Sequence, residues 1–137
     1  MKRMCFNPIR RLALVALALL GAVSVGNVSA QQAELGKGAA LFATHCAECH
    51  SLKEGKNKKG PSLFGTFGAK AAQREGFAYS DALKNTALVW NADTLSRYLA
   101  NPKAVVPGGK MKYAGLESAE ERANLIAFIA TQSKLGS

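Results

Sequence analysis

Cys46-Ala47-Glu48-Cys49-His50 sets two thiols three positions apart with an imidazole directly after the second. Two such thiols can each form a thioether to one edge of a porphyrin, which brings the next residue's ring under the iron; this is the spacing of c-type haem attachment. The same thiols have other uses. A thioredoxin-like redox pair would open a helix after a strand, and residues 35–52 contain nothing rich in Val or Ile to form that strand. A structural zinc site would need a fourth ligand, usually from a second close pair, and no such pair is present. A plain disulfide would leave the adjoining His50 without a reason. One covalent haem, with its iron, accounts for all three residues.

The other axial position decides what such an iron does. A methionine or histidine closes it for electron transfer, whereas an open position admits small molecules or peroxide. Met1 and Met4 lie near the N-terminus in a leader-like segment, so Met111, 61 positions after His50, is the candidate ligand. A lone methionine is ordinarily core filler on an apolar helix face. Met111 instead follows Pro107-Gly108-Gly109-Lys110, an irregular segment able to aim a side chain inward. His45 adjoins Cys46 and is tied to the attachment segment, which keeps it from the far side of a porphyrin. The metal ligands expected are therefore His50 and Met111, a pair that favours ferrous iron and raises the reduction potential. A small haem peroxidase or gas binder stays open as an alternative, as does a haem subunit fixed within a larger oxidoreductase.

These residues must be carried by elements of a short chain. Residues 1–30 read as a cleaved secretory leader: Lys2, Arg3, Arg10 and Arg11 precede an apolar run over 12–25, and Val28-Ser29-Ala30 supplies small residues for cleavage. The run is shorter than the roughly 20 residues of a bilayer span, so no permanent anchor is expected. Residues 31–137 form one domain of 107 residues, whose core a buried haem would enlarge. This part has 14 basic and 9 acidic residues, too modest and scattered an excess for a nucleic-acid protein but suited to partners with acidic surfaces.

The pattern predicts an all-α fold with long loops. Leu35, Ala39 and Phe42 share a face of a helix over 33 to about 50, and Gly38 suits a close helix crossing. Segment 51–78, rich in glycine and lysine, reads as a loop wrapped around something. A short helix is expected from Ser80. Another, capped by Asn91, carries Leu95, Tyr98 and Leu99 on one face and stops at Asn101-Pro102. Segment 102–115 reads as loop. Ser118-Ala119-Glu120-Glu121 then forms a capping box for a last helix with a stripe of Leu125, Ile126, Phe128 and Ile129.

The ordered set of Cys46-Ala47-Glu48-Cys49-His50, Gly60-Pro61, Gly76-Phe77-Ala78-Tyr79, Trp90, Tyr98-Leu99-Ala100-Asn101-Pro102-Lys103 and Pro107-Gly108-Gly109-Lys110-Met111 resembles that of the class I cytochromes c. Within them it is similar to the small bacterial members that look like the mitochondrial protein, over about residues 34–131. The resemblance implies four or five helices with long loops around one covalently attached haem c. It implies that Pro61 offers its carbonyl to the free nitrogen of His50, that Tyr79 and Trp90 hydrogen-bond a haem propionate, and that Tyr98 sits near the Met111 sulfur. It also implies that Gly38 and Phe42 pack against Phe128. Ala69, Leu83 and Gly109 depart from the pattern, which would have an arginine, an asparagine and a hydroxyl-bearing residue there. Lys53, Lys103, Lys110 and Lys112 are expected to rim the haem edge. The implied role is a monomeric periplasmic one-electron carrier and not an enzyme. It would run between a membrane-bound quinol:cytochrome c reductase or periplasmic dehydrogenase and a terminal oxidase or reductase.

Overall fold

The computed structural model describes residues 26–134. Most of the expected leader, 1–25, lies outside the described residues. Five helices follow in order: α1 (Gly26–His45), α2 (Asp81–Lys84), α3 (Ala92–Ala100), α4 (Pro102–Val105) and α5 (Ala119–Lys134). Among the described residues there is no strand, only an isolated antiparallel bridge between Lys70 and Val89. None of the described helices is long and apolar enough to cross a membrane.

The fold closes where α1 crosses α5. Gly38 makes that approach possible, because a Cβ there would stand 2.2 Å from the Asn124 carbonyl oxygen and 2.7 Å from Phe128 Cβ. The Phe42 and Phe128 rings meet beside it at 5.9 Å, and Leu125 and Ile129 are almost wholly enclosed. This is the contact the resemblance implied. α3 packs on α5 and contributes Leu95 and Leu99 to the same core.

The helix ends are set by side chains. Asn91 accepts the Thr94 N–H while Thr94 Oγ1 accepts the Asn91 N–H, a reciprocal pair that fixes the start of α3 where the sequence placed it. Ser80 caps α2, also as expected. Ser118 Oγ accepts the Glu121 N–H at 3.2 Å, the forward half of the box expected at α5.

Two expectations are corrected. Segment 102–115 is not loop throughout, because Asn101, which terminates α3, also accepts the Ala104 N–H and starts α4 with Pro102 in its first turn. The helix expected over 33 to about 50 starts earlier, at Gly26 within the expected leader, and ends at His45. There the Phe42 carbonyl accepts N–H groups from both Cys46 and Ala47 at 2.9 Å, which releases the chain into a tight turn. Both thiols lie in that turn, closed by Cys49 N–H and His50 N–H on the Cys46 carbonyl.

Segment 51–78 is held by a few main-chain bonds to the approach of α3. Gly68 donates to Trp90, Trp90 to Ala69 and Ala71 to Leu88, all at 2.8–2.9 Å. Ala72 stands at φ 58°, an uncommon setting for a side chain with a Cβ.

Candidate functional site

A cavity of about 570 Å³ opens between the turn after α1, the segment 59–83, α3, the segment 109–113 and α5. That size lies in the range of about 300–1,000 Å³ usual for cofactor pockets. Cys46, Cys49, His50, Pro61, Tyr79, Trp90, Tyr98 and Met111, every site residue read from the sequence, line it. Leu63, Phe77, Leu83, Leu95, Leu99 and Ile129 supply apolar wall between them.

His50 is held from two sides. Its Nδ1 lies 2.7 Å from the Pro61 carbonyl oxygen, so that nitrogen carries the proton and Nε2 remains for a metal. Gly60 lies flat on the ring: a Cβ there would stand 2.4 Å from Cε1. Burial holds the His50 pKa below its ordinary value against an opposing push from the Pro61 hydrogen bond, with the nearby Lys58 charge adding to the lowering. The neutral imidazole is the form that binds a metal.

Both cysteines are free thiols, Cys46 buried and Cys49 half-buried. Burial, then the neighbouring Cys49, pushes the Cys46 thiol up to about 11, so an unmodified Cys46 stays protonated near neutral pH. Met111 is half-buried and follows Gly108, whose φ of 84° turns the chain after α4.

The aromatic side chains meet in pairs. Trp90 and Tyr98 lie 4.9 Å apart, and Phe77 meets Tyr79 edge-on at 4.8 Å. The Tyr79 oxygen accepts the Arg74 N–H at 3.3 Å, leaving its own proton free to donate. Burial raises the Tyr79 and Tyr98 pKa values, so both remain neutral donors.

Segment 59–83 and the lysines hold what the sequence did not disclose. Lys110 and Lys112 line the cavity as expected, whereas Lys53 and Lys103 are exposed but lie outside its lining. Lys59 and Lys70 take part instead, as do Gln73, Arg74 and Tyr113. Ala69, Leu83 and Gly109 all line it, so the three departures fall on the wall itself.

A family model for cytochrome c matches residues 35–133. The chain belongs to the cytochrome c family. It is 47% identical over 102 residues to cytochrome c of the fungus Gibberella zeae, covering 74% of this chain and 96% of that one. Cytochrome c2 of Rhodomicrobium vannielii is 45% identical over 120 residues, covering 86% and 95%. Among solved structures, cytochrome cH from Methylobacterium extorquens is similar with a TM-score of 0.67 and 40% identity, covering 71% of this chain and 97% of that one. The protein is thus a class I cytochrome c: an electron carrier rather than an enzyme, with one covalently attached haem c as cofactor and redox proteins as partners.

The cytochrome's residues fit that cofactor. The wall offers two thiols, an imidazole with one nitrogen engaged and one available, a thioether and apolar side chains. Tyr113, also in the wall, has a buried hydroxyl with no partner among the described residues. Such an orphan costs about 1–3 kcal/mol unless something in the site satisfies it.

Proposed function

We propose that this cytochrome c is a monomeric periplasmic electron carrier. In this reading residues 1–30 are a secretory leader removed on export, and 31–137 are the mature domain. Its donors are a membrane-bound quinol:cytochrome c reductase or a periplasmic dehydrogenase, and its acceptors a terminal oxidase or reductase. The basic charge and apolar run of the leader, with small residues at 28–30, support the compartment. Relatives occur in fungi as well as bacteria, so the leader and not kinship carries that part of the reading.

Cys46 and Cys49 would hold haem c through two thioethers, and His50 and Met111 would ligate its iron. The convergence of these four side chains on one cavity carries the assignment. When bound, haem c supplies a one-electron couple between ferric and ferrous iron. The chain does the rest. Pro61 and Gly60 fix the His50 ring, so little reorganises when the charge at the site changes. Leu83, Leu95, Leu99 and Ile129 exclude water. Tyr79 and Trp90 would donate hydrogen bonds to a propionate, and Tyr98, in the same wall as Met111, would stand near its sulfur.

Exposed lysines at the cavity mouth, Lys70, Lys110 and Lys112, give a positive rim that guides the carrier to acidic partner surfaces. Replacing Met111 by alanine tests the ligand assignment. The low-spin spectrum and its sulfur-to-iron band in the red should vanish; an unchanged spectrum removes Met111 as ligand. Mass spectrometry of the exported protein should give a chain starting at Gln31 and heavier by one haem, and a retained residue 1–30 segment would refute the leader.

A further inference from the structure

The cavity wall contains a cation that the ion pairs of the fold leave alone. Arg74 is half-buried in the lining. Among the described residues its guanidinium has no carboxylate within 4.0 Å; the ion pairs present are Lys37 with Glu120, Lys59 with Glu48, Lys84 with Asp81 and Arg97 with Asp93. It donates to the Gly65 carbonyl, which holds it against the wall but does not neutralise it. A guanidinium has five N–H donors in a planar fork, so most of its capacity remains.

The backbone is arranged around this side chain. Ala72, two residues earlier, takes the left-handed conformation at φ 58°, a setting that costs an alanine roughly 1–2 kcal/mol. The Arg74 N–H is bound by the Tyr79 hydroxyl, whose remaining proton faces the same task of finding an acceptor. Gly65 has φ 60°, and a Cβ on it would sit 3.5 Å from both terminal guanidinium nitrogens. Ala69, on the same wall, has no charge to offer. The lysines of the lining are exposed and well solvated, and Lys59 is committed to Glu48.

A partly buried cation beside a free hydroxyl is costly unless an anion completes the site. Haem c has two carboxylates, on its propionates, and otherwise an apolar ring. We propose that Arg74 pairs with a haem propionate, sharing it with the Tyr79 hydroxyl, and is the residue through which this chain sets the charge next to its haem. This rests on the assignment of the cavity to haem c. A positive charge held there favours the reduced iron, which has one charge less than the oxidised form.

The test is redox titration of the holoprotein carrying Arg74→Gln and, separately, Arg74→Lys. At the ambient potential where the parent is half reduced, R74Q should have a reduced-to-oxidised ratio about fivefold lower, equal to about 40 mV at 59 mV per tenfold for one electron. R74K, which keeps the charge, should stay within about twofold of the parent. A purely structural Arg74 would lower stability in both variants and leave their potentials alike. An R74Q ratio within twofold of the parent overturns the proposal. If that variant still contains covalent haem with its sulfur-to-iron band, the haem site itself stands. A second measurement needs no variant: proton NMR of the reduced, diamagnetic holoprotein should show through-space contacts between the Arg74 δ-methylene and a propionate methylene. Their absence from a spectrum in which both groups are assigned also overturns it.

Discussion

Alanine at Gly38 and alanine at Gly36 should move stability in opposite directions, although both sit inside α1 only two residues apart. Each substitution gains about 0.8–1 kcal/mol of helix propensity. At Gly36 nothing lies within 4 Å of the new Cβ, so that gain should appear undiminished. At Gly38 the Cβ would stand 2.2 Å from Asn124 O, 2.9 Å from Asn124 C and 2.7 Å from Phe128 Cβ. Ordinary carbon contacts are about 3.5–4.0 Å, so these fall short by about 0.6–1.8 Å, and two of the three neighbours are backbone of α5. The backbone cannot rotate away. The helices must separate, loosening the Phe42 and Phe128 contact and the enclosure of Leu125. Overpacking of this kind costs about 1–3 kcal/mol, or more where a rigid pair of helices is forced apart. With helix propensity subtracted from the upper part of that range, the net loss is about 2 kcal/mol, and the two variants should differ by about 3 kcal/mol. Guanidinium unfolding of the holoproteins would read this as a midpoint roughly 0.2–0.3 M higher for G36A and roughly 0.5 M lower for G38A, given slopes of about 4 kcal/mol/M. A G38A protein as stable as the parent would refute the claim that this crossing closes the fold.

Gly60→Ala should press a methyl group into the His50 ring, break its bond to Pro61 and cost about 1–3 kcal/mol, with a weakened low-spin spectrum; a spectrum and midpoint identical to the parent's would remove Gly60 as a support for the imidazole. Association with an acidic redox partner should slow more than tenfold as ionic strength rises from about 0.01 to 0.15 M, where the screening length shrinks from about 30 to 8 Å. Salt-independent association would remove the lysine rim.

The parts of the molecule legible in the sequence are those with a local code. Asn91 announces the start of α3 because a cap needs only a side chain that reaches an N–H three positions on, and the Leu125, Ile126 and Ile129 stripe declares which face of α5 is buried. The Cys46, Cys49 and His50 spacing is equally local. Arg74 has no such signal: it sits in segment 51–78, whose course is set by main-chain bonds to residues 88–90 and by a left-handed alanine where glycine would be expected. The lysines show the same limit, since whether Lys70 or Lys53 reaches the cavity depends on how that loop turns. α4 leaves no trace in the pattern, because a helix of four residues has no hydrophobic period to detect. The early end of α1 depends on a shared acceptor, the Phe42 carbonyl, which composition does not reveal.

The charges of this cytochrome divide into two sets that act on different quantities. Lys70, Lys110 and Lys112 are exposed at the mouth of the cavity, where water and salt screen them, so they can raise the rate of encounter with an acidic surface while moving the internal energy of the iron only slightly. Arg74 is half-buried and bound to Gly65, where screening is weaker and each charge counts for more at the cofactor. Separating the two sets lets the docking surface change without shifting the potential. If Arg74 pairs with a propionate as proposed, it is the one half-buried arginine or lysine of a lining on which Ala69 and Leu83 offer no polar group, and a second buried charge beside it would carry an added desolvation cost.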